Sequence, residues 1–370
     1  MLFYVNILLG DVMEPYKAKK LPITYEVNSS LIKLLCEAEE VYWEYKGYLR
    51  NMSYDYRYFL EAEFINSLYY SFKIDGAKIN KEDIFFIPYM IKNNNTVQFE
   101  NMKRILHLGS EEAYKDGISL NLFNKLNKIL FNDCKKDSKT KNSGKLRKIQ
   151  NYILKPGIAG SSVSFIPPVY SDLNTNMKNL VDYLTNNDDH PFIATAIGHY
   201  QFEKLHPYVS GNGKLGRIMI PITYSFYKKE PPILFMSESL EALKNTYFTQ
   251  LSGEVDENIN LFIKFFLQTI IDQCILNIKK IKRLNKLYKN EYDKIIKSVG
   301  GTTIEKVYPI MIKRIVFTTS DIVNDCNLHI NSVNKVLNKM VEQGILIKEK
   351  RKGTNRVTFC YKSFYDAFLN

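Results

Sequence analysis

Apolar residues recur at helical spacing along most of the chain. Over 29–50, SSLIKLLCEAEEVYWEYKGYLR sets Leu31, Leu34, Leu35, Ala38 and Val41 on one face, which predicts a helix. A second amphipathic segment runs from Tyr56 to Lys73 and halts at Asp75-Gly76. Residues 80–108 read as mixed but mostly helical, and 110–132 as a third long helix. The polar stretch 133–148, NDCKKDSKTKNSGKLR, has no periodicity and reads as a mobile surface loop. GSSVSFIPPVY (160–170) alternates about Val163 and Phe165 and ends in Pro-Pro, predicting a strand or short hairpin. Helices follow at 171–186 and again after DDH, where an acidic cap precedes Pro191 in the first turn. GKLGRIMIPITYSFYKK predicts a buried apolar helix bent at Pro221. A long helical pattern covers 256–297 and turns Lys-rich after Asn277, so its second half reads as a connector.

The tail changes pattern. Ser320 or Thr319 suits a helix cap, Asn327 a left-handed turn and Asn331 a second cap. Val333, Val336, Leu337, Met340 and Val341 then lead to a stop at Gly344. ILIKEK and NRVTFCY predict two strands joined through RKGTN. The whole is a mainly α chain with one short β element and a small α+β end.

Composition adds little to the fold but localises the charge. Of 370 residues, 45% are hydrophobic and 24% charged, with a net charge of +12. From Lys279 onward there are 19 Lys/Arg against 8 Asp/Glu, so nearly all the basicity sits in the last quarter and points to a polyanion partner there. Five scattered cysteines (36, 134, 274, 326, 360), never spaced as CxxC, predict free thiols in a reducing compartment. The apolar start carries Asn6 and no basic leader, and no run of eighteen apolar residues occurs. The expectation is therefore a cytoplasmic chain with no membrane partner.

The chemistry gathers in HPYVSGNGKLGR, His206 to Arg217. A helix starting near Gly213 after a Gly-Asn-Gly turn exposes free N–H groups and the positive end of its dipole, a place for phosphate oxygens. Lys214 and Arg217 lie three apart on the emerging helix and lean toward the same anion. His206, at the end of the preceding helix, is a candidate base for an attacking hydroxyl. Ser210 supplies no carboxylate.

In this order the residues resemble the signature of the Fic (filamentation induced by cyclic AMP) family, H-x-F-x-[D/E]-[G/A]-N-G-R-x-x-R. The resemblance extends over QFEKLHP before the motif, the flap-like SSVSFIPP, the helical region from LPITYEVNSS, and ILFMSESLEALKNTYFTQL after it, roughly residues 20–275. It implies transfer of AMP from ATP to a Ser, Thr or Tyr hydroxyl of a target protein, the chain itself included, with release of pyrophosphate. By position it makes His206 the base, and Gly211, Asn212 and Gly213 the anion hole. Lys214, Leu215, Gly216 and Arg217 continue the nucleotide site, and Tyr247 lies near the adenine. Ser162, Val163, Ser164 and Phe165 fall in the target-docking flap. It implies ATP and a Mg or Mn ion, for which the family's acid at 210 is here Ser210. Glu203, one turn earlier, either substitutes for that acid or supports the fold. Otherwise ATP carries the ion or transfer is slow. Lys214 keeps a charge where the family has arginine but loses its planar fork.

SFKIDG, Ser71 to Gly76, resembles the family's inhibitory motif, whose acid pairs with the second motif arginine, here Arg217. Asp75 is one methylene shorter than the usual Glu, so the expectation is a brake that reaches less well; Asp75-Gly76 also fits a plain helix end. The tail resembles a winged helix. Its expected DNA face holds Asn334, Lys335 and Lys339 on the second helix and Lys350, Arg351 and Lys352 on the wing, alongside a protein-interaction or homodimer role. The implied organisation is 1–108 with the inhibitory helix at about 56–76, a Fic core 109–277, a basic connector 278–300 and a winged helix 301–370. A DNA-binding regulator with a nucleotide-sensing core, removal of AMP, and transfer of another nucleotide stay open beside adenylyl transfer.

Overall fold

A computed structural model describes residues 14–137, 140–154, 163–252, 258–351, 353–354 and 356–369. Two helices open it, α1 (Ser29–Arg50) and α2 (Tyr56–Ile74), capped by Asn28 and Asp55 side chains that accept first-turn N–H groups. Within 80–108, expected to be mixed but mostly helical, single 3-10 turns at Lys81–Asp83 and Ile87–Tyr89 precede the α-helix that starts at Asn94. The helix expected over 110–132 is two: α3 (Asn94–Asp116) and α4 (Leu120–Leu130). Gly117, at φ 81, turns the chain between them, and the Ser119 hydroxyl caps α4 at Leu122.

A two-stranded hairpin follows, β1 (Ile153–Leu154) antiparallel to β2 (Val163–Phe165). Next come α5 (Leu173–Thr185), α6 (Pro191–Leu205), α7 (Asn212–Lys228), α8 (Ser237–Ala242) and α9 (Lys244–Ser252). Every residue of α6 except Pro191 is buried. A helix buried on all sides belongs at the centre, and α6 packs against α5, α7 and the long helix α10 (Ile259–Val299). The most apolar eighteen-residue window of α10 would suffice by composition to cross a membrane, but 56% of it is buried inside the protein, where it packs on α1 and α6.

The half of α10 expected to be a basic connector is packed as well. Ile281 and Leu284 are fully buried, and the Lys280 ammonium sits between Glu63 of α2 (2.8 Å) and Glu238 of α8 (2.5 Å). Burial of such a charge is tolerable only with partners this close.

The tail holds α11 (Thr302–Arg314), α12 (Thr319–Cys326), α13 (Ile330–Glu342) and α14 (Lys362–Leu369). An antiparallel sheet joins them in the order β3 (Val316–Phe317), β5 (Thr358–Tyr361), β4 (Leu346–Glu349). Asn327 takes the expected left-handed turn at φ 51. The caps differ from expectation by one or two residues. Thr318, not Thr319 or Ser320, forms a capping box with Asp321, and His329, not Asn331, caps α13.

This tail is docked on the N-terminal region. Met90 bridges to Thr354, and the Ile91 amide donates to the Gly353 carbonyl at 2.7 Å. Phe368 of α14 lies against Phe59 of α2 with ring centroids 6.0 Å apart.

Candidate active site

The turn between α6 and α7 is built by neighbours far away in the sequence. His206 ends α6 in the left-handed region at φ 44, ψ 59, which a non-glycine residue adopts only when its surroundings hold it. Arg147 supplies that hold, with Nε donating to the His206 carbonyl at 2.9 Å. Asn127 of α4 donates to the Ser210 carbonyl (3.1 Å) and accepts from the Gly144 amide (2.8 Å). Asn212 clamps the Tyr208 peptide from both sides, accepting from its N–H (2.9 Å) and donating to its carbonyl (2.8 Å). The Tyr208 hydroxyl reaches Asn124 at 3.0 Å, so this aromatic anchors the loop as expected of its position.

Gly211, at φ 82, precedes α7, which starts without a side-chain cap. Its first-turn N–H groups therefore stay available to an anion. Glycine is required at two points here. A Cβ on Gly211 would lie 2.6 Å from Leu130, and one on Gly213 would lie 2.8 Å from the Arg217 guanidinium and 3.1 Å from Asp75.

A cavity of about 330 Å³ opens over this helix start, lined by His206, Gly213 and Arg217 with Asp75, Glu203, Tyr247, Ser164 and Phe165. The imidazole of His206 is half-buried in the cavity wall. Burial, reinforced by the Arg147 charge and opposed by Asp75, lowers its pKa to about 4, so the ring is neutral near pH 7. Burial pushes the Glu203 carboxyl up to about 7 against the pull of Arg217. Its Oε1 finds no hydrogen-bond partner among the described residues. It fills the space a Cβ on Gly216 would need, 2.1 Å away.

Arg217, nearly buried at 4% exposure, faces α2. Its Nε donates to the Ser71 hydroxyl (2.9 Å), and one terminal nitrogen donates to the Ser71 carbonyl (2.9 Å) and to Asp75 Oδ1 (2.6 Å). Asp75 Oδ2 accepts from Lys214 at 2.9 Å. The shorter side chain thus loses no reach, contrary to expectation, because two cations converge on it. Burial raises the Asp75 pKa, but Arg217 and Lys214 outweigh it and hold the carboxyl below its usual range. Gly76, at φ 76, ends the helix beside it, so a brake-like contact and a helix stop coexist in the same residues.

Several expected contacts fall elsewhere. Leu215 is fully buried in the core, and Gly216 packs on Glu203 with its carbonyl 3.2 Å from His199 Nδ1, so neither offers the cavity a side chain. Of the three anion-hole residues only Gly213 lines the cavity; the Asn212 side chain is spent on Tyr208 and Gly211 faces Leu130. Tyr247 does line the cavity, while its hydroxyl meets the buried His199 at Nε2, 2.8 Å away. In the hairpin, Val163 lies on β2 and Ser164 and Phe165 reach the cavity, while Ser162 lies outside the described residues. The described residues hold no group of three or more His, Cys, Asp or Glu side chains placed for a metal ion. With a hydroxyl at Ser210, the donor set does not fit an ion held by the protein itself.

On the tail, Lys335 and Lys350 are exposed, but Lys339 also donates to the Val299 carbonyl at 2.6 Å and Asn334 accepts from Thr319 at 3.2 Å. Arg351 is turned away from any expected DNA face. Its guanidinium lies 3.9 Å from the Phe86 ring centroid and reaches the Glu82 carbonyl (2.6 Å) and Asp83 (3.1 Å). Lys352 lies outside the described residues. Arg147 and Asn127 escaped the sequence reading because a polar loop and a mid-helix asparagine carry no local sign of a distant partner.

Residues 117–223 match the Fic/DOC family model, so the chain carries a Fic/DOC domain that includes the whole loop and begins after α2. Proteins named protein adenylyltransferase Fic are similar in sequence. The one from Drosophila willistoni is 28% identical over 103 residues, 27% of this chain and 20% of its own length. The one from Nematostella vectensis is 27% identical over 106 residues, 27% of this chain and 23% of its own. The chain thus matches less than a quarter of the length of these curated relatives. A Fic family protein from Desulfovibrio desulfuricans shares the fold across 91% of this chain and 97% of its own, with a TM-score of 0.57 at 16% identity. A Fic domain containing signaling protein from Bacteroides thetaiotaomicron covers 66% of this chain and 97% of its own, with a TM-score of 0.51 at 18% identity.

Proposed function

We propose that this chain is a protein adenylyltransferase, restrained by Asp75, that moves AMP from ATP to a protein hydroxyl. The observation that carries the reading is one cavity in which a neutral imidazole, His206, stands beside an uncapped helix start and a buried cation, Arg217. The acceptor hydroxyl loses its proton to His206 as its oxygen bonds the α-phosphorus. The α–β phosphoanhydride bond breaks and pyrophosphate leaves. The N–H groups of the α7 start and Arg217 stabilise the charge that moves onto the phosphates. A divalent ion carried in with ATP would neutralise phosphate charge; nothing in the described donor set assigns it a place. Asp75 occupies the guanidinium a terminal phosphate would need, which is the physical content of the restraint.

The test is label transfer from ATP labelled in its α-phosphate, for wild type and the His206→Ala variant. The expected result is label on protein in the first and none in the second, with ATP still bound by both. ATP binding without transfer in any variant, Asp75→Ala included, would favour a nucleotide-sensing regulator, the reading to which Ser210 lends support. For that role the tail would act as a winged helix presenting Lys335 and Lys350 to DNA. Duplex binding that falls steeply with salt is its signature, and no binding at low salt rejects it.

A further inference from the structure

Arg147 is 2% exposed. Its guanidinium makes four hydrogen bonds, all to backbone carbonyls and none to a carboxylate: Nε to His206 (2.9 Å), one terminal nitrogen to Ile149 (3.0 Å), the other to Pro168 (2.6 Å) and, at a long 3.5 Å, to Leu205. Its own amide donates to the Pro207 carbonyl at 2.9 Å. Burying a guanidinium is costly unless its fork is filled. Its bonds join two separate strands of backbone, which the same segment also holds through Gln150, donating to the Pro167 carbonyl (2.8 Å), and Asn151, donating to the Tyr208 carbonyl (2.9 Å). One is the stretch 205–207 around the left-handed His206. The other is the base of the flap, where Pro168 follows directly from Phe165, Ile166 and Pro167.

We propose that Arg147 is a positioning residue that fixes the catalytic loop against the flap, so that His206 and a hydroxyl docked at Ser164–Phe165 meet at a set distance. This rests on the adenylyl-transfer reading and deepens it. A planar fork can hold carbonyls on both sides at once, whereas a lysine ammonium satisfies fewer of them at these angles. The same group has an electrostatic signature. The charged and titratable groups around the His206 ring are Arg147 from the 145–151 segment, Asp75 from α2, Glu203 from α6, Arg217 from α7, and Lys244 and Tyr247 from α9. Burial is the main cause of the lowered His206 pKa and Arg147 the next. Burial lowers the pKa of Arg147 only to about 10, so its charge is present across the neutral range.

The experiment compares wild type, Arg147→Lys and Arg147→Met, with folding checked by circular dichroism. Three quantities are read: transfer rate at saturating ATP, amide exchange at Phe165 and Ile166, and titration of the His206 ring by NMR. Both variants are expected to lose about 100-fold in rate, the scale for a misplacement of about an ångström, with KM for ATP little changed and faster exchange at the flap. The His206 midpoint is expected near 4 in wild type, equally low in the Lys variant, and displaced upward in the Met variant. A merely structural arginine would not split the two variants in this way. Full transfer rate in either variant, unchanged flap exchange, or a His206 midpoint that stays put in Arg147→Met overturns the inference. Should wild type transfer no label, the adenylyl-transfer reading fails, while flap exchange and ring titration still decide the role of Arg147.

Discussion

Removing the carboxylate at Asp75 tests the site most directly. In the structure Asp75 makes two charge-assisted hydrogen bonds, 2.6 Å to Arg217 and 2.9 Å to Lys214. Its side chain is 26% exposed. Each such bond is worth about 1.5–3 kcal/mol when shielded, and partial exposure argues for the low end, about 3 kcal/mol for the pair. A triphosphate that needs Arg217 must first displace this contact, so its apparent affinity is reduced by the fraction of molecules with the guanidinium free. The Asp75→Ala variant should therefore bind ATP about 150-fold more tightly, since about 1.4 kcal/mol is tenfold. Asp75→Asn, which keeps the shape and loses the charge, should fall between. Because the Asp75 pKa is held below its usual range, the contact is present above pH 4 and is lost only as pH falls through that lowered value. Titration calorimetry with ATP, run beside the label-transfer assay, reads both consequences. ATP affinities within twofold of each other for wild type, Ala and Asn would show that Asp75 does not compete with the nucleotide.

Other outcomes follow from single contacts. Glu203 rises from 4.5 to about 7 on folding, so the fold gains from its protonated form below pH 4.5 and loses that gain as pH rises through 7. Glu203→Gln should remove about 3 kcal/mol of that alkaline loss, read as a flatter Tm between pH 5 and 8. Gly211→Ala places a Cβ 2.6 Å from Leu130 at φ 82 and should cost about 3 kcal/mol, visible as a lower denaturation midpoint. Lys280→Met leaves Glu63 and Glu238 facing each other without their cation and should cost about 4 kcal/mol; wild-type stability would mean the cluster is not shielded from water. On adding ATP, amide exchange should quicken at 71–77 and stay slow at 59–68, a contrast that uniform exchange along α2 would refute.

The elements that were legible in the sequence are those whose cause is local. The apolar stripe of α1, the turn at Asn327 and the loop from His206 to Arg217 each declare themselves within a few residues. The break at Gly117 was missed because a glycine inside a periodic stretch also occurs in continuous helices, and only its positive φ separates the cases. The caps at Thr318 and His329 were misplaced because Thr318, Thr319 and Ser320 are all capable, and the choice falls to the one whose neighbour three residues on is Asp321. What could not be read was anything depending on a partner far along the chain. Lys280 looks like its solvated neighbours until α2 and α8 bring two carboxylates to it. Arg147 looks like one more cation of a basic loop until four carbonyls close around it. The reach of Asp75 was underestimated for the same reason, since side-chain length says nothing about how near the fold carries the backbone.

The helix carrying Asp75 is held at three heights, and their strengths differ. Near its start Phe59 is buried against Phe368 of α14, a burial worth about 1.5–3 kcal/mol. At mid-length Glu63 is fully buried against Lys280, and separating such a pair costs about 3–5 kcal/mol because a charge is left unpaired. At its end Ser71 and Asp75 hold Arg217, and the chain turns out through Gly76, whose amide donates to Lys73, and Ala77, whose amide donates to Phe72. Sliding α2 away as a rod would break all three sets of contacts together. Unwinding its last turn leaves the first two in place, although it also lifts the buried Phe72 and Ile74 from the core, and a phosphate arriving at Arg217 replaces the charge contact that is lost. The physical economy of the fold therefore favours release through residues 71–77, with the body of α2 and the docked tail left in place.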